Sequence, residues 1–113
     1  MSIPKLIQGN MFKLEIALKE NGTTYSDLAA ADSVTVRIES VDGAESLQAT
    51  NSDSTVTIDD PDVGTVSWQL TSVNTDAFPV GTYKVSVQVL YGGTNKIEWN
   101  EARTVEVVDQ NIT

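Results

Sequence analysis

One stretch constrains the fold more than any other. From Tyr83 the apolar residues fall at alternate positions, Tyr83, Val85, Val87 and Val89, with Lys84, Ser86 and Gln88 between them. Only an extended strand with one buried side places those four on one face; a helix scatters them around its axis. β-Branched residues suit such a pleated, half-buried surface. Upstream, Pro79 presets its own backbone angle and Gly81 permits angles other residues avoid, so Phe78 to Gly81 reads as the turn that feeds the strand.

The same period recurs along the chain. Phe12, Leu14, Ile16 and Leu18 alternate with Lys13, Glu15, Ala17 and Lys19, and Asn21-Gly22 then signals a tight turn. Thr23 to Asp32 reads as loop with one helical turn, because Ala29-Ala30-Ala31 is too short for a helix of its own. Val34, Val36 and Ile38 give the next strand, Leu47 and Ala49 a weak one, and Val56 and Ile58 a short one. Val66, Trp68 and Leu70 follow, then a polar connection from Thr71 to Asp76. After Gly92-Gly93 the chain returns through Ile97, Trp99, Val105 and Val107, with a bulge expected at Ala102-Arg103, where alternation lapses. About seven or eight short strands with turns between them predict an all-β, Ig-like two-sheet sandwich, a small β-barrel being the alternative. The 113 residues make a single domain, 1–113. Pro4 lacks a donor NH, so residues 1–8 belong at a sheet edge or reach away from the body as a docking arm, with Ile3, Pro4, Leu6 and Ile7 as its interface candidates. Residues 109–113 read as a tail.

Composition narrows the chemistry. The chain has no cysteine and no histidine, which removes thiolate chemistry, cysteine-based zinc sites and the commonest general base. The net charge of −9 lies in the middle: residues 27–76 hold ten acids against Arg37 alone. Such a surface repels phosphate, which argues against nucleic acid; it serves solubility or docking onto a basic partner. No stretch approaches a membrane span, and Met1 to Lys5 has no apolar run of signal-peptide length, so the expectation is a chain folded in the cytoplasm of the cell that makes it.

Few constellations suggest reactivity. Asp59, Asp60 and Asp62, near Gly64, are the best metal candidate, since calcium takes several carboxylate oxygens from one tight loop. The same residue types are what a plain turn requires. A serine or threonine nucleophile lacks a histidine base, for which only a lysine could substitute, and paired carboxylates need a cleft of which a compact sandwich with short loops offers little. The expectation is no enzyme and no cofactor. Trp68 shares a face with Val66 and Leu70 and reads as core; Trp99, between Glu98 and Asn100, reads as either core or interface.

Two resemblances extend these readings. Gly81-Thr82-Tyr83-Lys84-Val85 resembles the tyrosine corner of Ig-like sandwiches, with Val85 in the place of the disulfide cysteine. It implies a hydroxyl bond from Tyr83 to backbone near Asp76 to Phe78. Over some 100 residues, the order Ile7-Gln8-Gly9-Asn10, the Phe12 strand, Asn21-Gly22, Tyr25-Ser26-Asp27-Leu28, the Val34 strand, Gly64-Thr65-Val66-Ser67-Trp68, Thr75 to Tyr83 and Thr104-Val105-Glu106-Val107 is similar to short Ig-like virion modules of tailed bacteriophages, including the N-terminal domain of baseplate upper proteins. Those proteins continue into a long C-terminal region absent here, which favours a free-standing subunit. The resemblance implies a virion structural protein made in the host cytoplasm, a capsid decoration or cement subunit bound to the major capsid protein or another virion protein. It would sit there as a homo-oligomer, dimer or trimer. A tail, neck or baseplate component is the first alternative, and a carbohydrate-binding or adhesion module the second.

Overall fold

The computed structural model describes residues 5–109 except 21, 27, 54, 61, 93 and 94. The strands are β1 (Lys5–Ile7), β2 (Phe12–Ala17), β3 (Lys19–Glu20), β4 (Thr23–Thr24), β5 (Ser33–Ser40), β6 (Ser46–Thr50), β7 (Val56–Asp60), β8 (Thr65–Leu70), β9 (Gly81–Tyr91) and β10 (Asn95–Val108), with one short helix, α1 (Ser72–Asp76), between β8 and β9. They form a five-stranded sheet in the order β1-β10-β9-β5-β6, a three-stranded sheet β2-β8-β7 and a small β3-β4 pair. The fold is an all-β sandwich of two sheets. The chain changes sheet between β1 and β2, between β2 and β5, between β6 and β7 and again between β8 and β9, while β5-β6, β7-β8 and β9-β10 are antiparallel neighbours. That is the connectivity of an Ig-like sandwich.

The alternation expected for β9 is realised: Tyr83, Val85, Val87 and Val89 are all buried. They belong to one apolar cluster with Val34, Val36, Ile38 and Val105 from their own sheet and with Leu14, Ile16, Val66, Trp68 and Leu70 from the other. Each sheet therefore has one face on a shared core, as period-two patterning demands. The bulge in β10 lies between Trp99 and Arg103: Trp99 pairs with Val87 and Arg103 with Val85. The irregularity brings Arg103 within reach of β2, where Nη1 donates a hydrogen bond to the Glu15 carbonyl and ties the two sheets together.

Two features differ from expectation. The connection after β8 is not simple loop, because Thr71 and Asn74 cap each other. The Thr71 hydroxyl accepts from the Asn74 amide at 3.2 Å, and the Asn74 side chain accepts from the Thr71 amide at 3.0 Å. This reciprocal capping box satisfies amides at the helix start and holds a single turn in place. Its buried Thr75 hydroxyl donates to the Asn10 carbonyl at 2.8 Å, fastening the β1-β2 turn to α1. The second difference concerns Leu6. It is fully buried, because β1 runs parallel to β10 in the register Lys5-Glu106, Leu6-Val107, Ile7-Val108 and turns Leu6 inward beside Val107. Of the expected docking arm, residues 5–7 are thus an edge strand; Ile3 and Pro4, like residues 110–113 of the expected tail, lie outside the described residues.

The tyrosine corner is present one residue beyond the expected span: the Tyr83 hydroxyl donates to the Pro79 carbonyl at 2.8 Å, with the Phe78 ring 5.2 Å away. Burial first, then the charges of Glu45 and Asp42, raise the Tyr83 pKa above its ordinary value. At the opposite end, Gly64 has φ +70 and donates no side chain to a tight crossing, where a Cβ would stand 2.6 Å from the Tyr25 carbonyl oxygen. Its own carbonyl accepts from the Leu18 amide at 2.9 Å, so the β7-β8 turn holds the end of β2.

Two measurements test these anchors. Tyr83→Phe should cost about 1 kcal/mol in urea unfolding, the net worth of one hydrogen bond. A phenol whose folded pKa is raised contributes fully below its unfolded value of about 10 and loses that contribution as pH climbs towards the folded value. The parent should therefore lose more stability than Tyr83→Phe above about pH 10. Gly64→Ala should cost at least about 2 kcal/mol, while Gly43→Ala, with φ +79 and nothing within 4 Å, should cost only the left-handed backbone penalty of about 1 kcal/mol; equal costs would refute the close crossing at Gly64.

Candidate functional site

The register of the strands brings several turns to one end of the sandwich. Val108 pairs with Ile7, Val107 with Gly81, and Ser40 with Tyr83, so β1, β5 and β10 finish where β9 begins. The β5-β6 turn joins this end through the Val41 amide, which donates to the Thr82 carbonyl at 3.1 Å. The β1-β2 turn joins through Gln8, whose Nε2 donates to the Phe78 carbonyl at 2.6 Å, and α1 joins through the Thr75–Asn10 bond.

Large apolar side chains are exposed here. Among the described residues six such side chains are exposed, and five of them, Ile7, Met11, Val41, Val73 and Val80, belong to this end; Val63 lies at the other. Val73 is 79 % and Met11 69 % exposed, so these side chains stand in water rather than fold back on the core. Single exposed apolar residues are ordinary on any protein; the gathering of five at one end sets that end apart from the rest of the described surface. An open depression of about 640 Å³ indents the end between the β5-β6 turn and the segment before β9, with Val41, Pro79 and Val80 among its walls and Tyr83 at its base.

The charge carried by the turns themselves at this end is of one sign. Asp42, Glu45, Asp76 and Asp109 are exposed, and among the described residues of the turns, 7–12, 40–45, 71–82 and 108–109, no lysine or arginine occurs. Asp42 is held in place: its Oδ1 accepts from the Ser40 hydroxyl at 2.7 Å and from the Ala44 amide at 3.0 Å. Those bonds, the serine's foremost, lower its pKa below the ordinary carboxylate value, so it remains charged across the neutral range.

The residues singled out from sequence are distributed differently. Ile7 sits at this end; Leu6 is core. Trp99 is at the far end and half-buried on the inward side of β10, with its ring edge-on to Tyr25 at 5.0 Å and Nε1 donating to the Lys19 carbonyl at 2.8 Å. The Tyr25 and Tyr91 hydroxyls are bonded at 2.5 Å beside it. Trp99 is a strut between β10 and β3. Asp59, Asp60 and Asp62 are exposed, and Asp60 Oδ1 is used in the turn itself, accepting from the Asp62 amide at 3.1 Å. Among the described residues no three acidic side chains converge as metal ligands. No helix among them is long and apolar enough to cross a membrane. The chain matches no protein-family model and no curated protein sequence.

Met11, Val41, Val73 and Val80 escaped sequence reading because none belongs to an alternating run; only tertiary register brings them to one end. Substitution separates surface from core. Val80→Ser and Val73→Ser should change unfolding free energy by no more than about 0.5 kcal/mol, whereas Leu6→Ala should cost about 2 to 5 kcal/mol. A small loss at Leu6 would return that residue to the surface.

Proposed function

We propose that the chain is a structural protein of a tailed-bacteriophage particle, a decoration subunit that cements the shell of the major capsid protein through protein–protein contacts. The observation that carries this reading is the gathering of Ile7, Met11, Val41, Val73 and Val80 at one end of a sandwich that exposes, among its described residues, only Val63 of its other large apolar side chains. Such an end suits a small rigid module that works by being seated on something larger. The resemblance in motif order to Ig-like virion modules supplies the kind of assembly. Cementing needs no catalytic group: many copies, each of modest affinity, hold a shell together because the contacts multiply over the particle.

The carbohydrate-binding alternative draws less support, because it relies on an accessible aromatic platform and Trp99 has its indole NH committed to Lys19 and its ring against Tyr25. Copy number tests the proposal. Quantitative mass spectrometry of purified particles should find the chain in hundreds of copies. Six to a few tens would assign it to tail, neck or baseplate instead, and absence from particles would overturn the virion reading.

A further inference from the structure

The apolar end also limits what can cover it. Asp42, Glu45, Asp76 and Asp109 share this end with the exposed valines and Met11, none of the four is in an ion pair among the described residues, and no lysine or arginine of these turns offsets them. Two copies meeting through this end about a two-fold axis would present the same patch to itself. The four carboxylates of one copy would then face the four of the other across a contact that excludes water, where like charges repel most strongly. Asp42 would not relieve this by protonation, since Ser40 and Ala44 hold it in the charged form.

Resting on the reading of this end as the docking surface, we propose that its occupant is a different protein whose contact patch is apolar at the centre and bordered by lysine or arginine. A second copy of this chain does not occupy it. The apolar centre supplies the contact that survives salt; the basic border supplies orientation and speed of encounter. Any self-association on the particle then uses another surface, leaving this end free to face the shell.

The test uses the full chain, labelled with nitrogen-15, and two synthetic helical peptides that share an apolar stripe of leucines. One is bordered by lysines and the other by glutamates. The lysine peptide should shift the amide signals of Met11, Val41, Val73 and Val80, and its affinity should fall roughly tenfold between about 0.1 M and about 1 M salt as the charges are screened. The glutamate peptide should leave those signals in place. Dilution of the chain alone should not move them either. The fourfold reversed variant, Asp42→Lys with Glu45→Lys, Asp76→Lys and Asp109→Lys, should exchange the two preferences, which a general stickiness of the end would not do. Equal binding of both peptides, insensitivity to salt, or dilution-dependent shifts at these four residues would each overturn the proposal. These outcomes are independent of copy number: a chain abundant in particles whose end ignores charge would retain the virion reading and lose this one, and a chain absent from particles would do the reverse.

Discussion

Strand β9 is hydrogen-bonded along both edges, to β5 on one side and β10 on the other, and this double commitment sets the position of nearly everything else. A slip of one residue would carry Tyr83, Val85, Val87 and Val89 from the core to the outer face and bring Lys84, Ser86 and Gln88 inward. The burial of four large side chains therefore fixes register against both neighbours at once. With register fixed, the turns at either end of the sheet are fixed as well, including those that carry Val41 and Val80. The exposed end is a consequence of how the core is locked.

The two ends are finished in different ways. At one, aromatic rings and a glycine crossing draw β2, β3 and the β7-β8 turn together: Trp99 bonds to Lys19, Tyr25 packs on Trp99, and Gly64 lets its turn approach Tyr25. At the other, polar side chains do the fastening, Tyr83 to Pro79, Gln8 to Phe78 and Thr75 to Asn10, and they do it from beneath. The apolar residues above them are left unused by the fold. That division explains why the surface can be apolar without costing the chain its shape.

Local pattern revealed what is locally determined. The alternation in β2, β5, β8 and β9, the lapse near Arg103 and the Tyr83 corner could all be read along the sequence, since a half-buried strand writes its burial into every second residue. Leu6 could not, because Ile3 to Ile7 gives no preferred face and its burial depends on pairing with a strand a hundred positions away. Nor could α1, whose capping box of Thr71 and Asn74 is built from residues that are as common in loops as in helices. The exposed end was least visible of all: Ile7, Met11, Val41, Val73 and Val80 come from three separate segments and have no periodicity in common.

The parallel pairing of β1 with β10 has a mechanical side. The chain enters β1 at Lys5 and leaves β10 at Val108, points at opposite ends of the paired register. Tension applied between them would load the backbone bonds of that pair in shear, all together, in contrast to the one-by-one opening of a hairpin pulled at its mouth. With Leu6 wedged against Val107 beneath those bonds, the sandwich is clamped along the line of pull by its shortest outer strand.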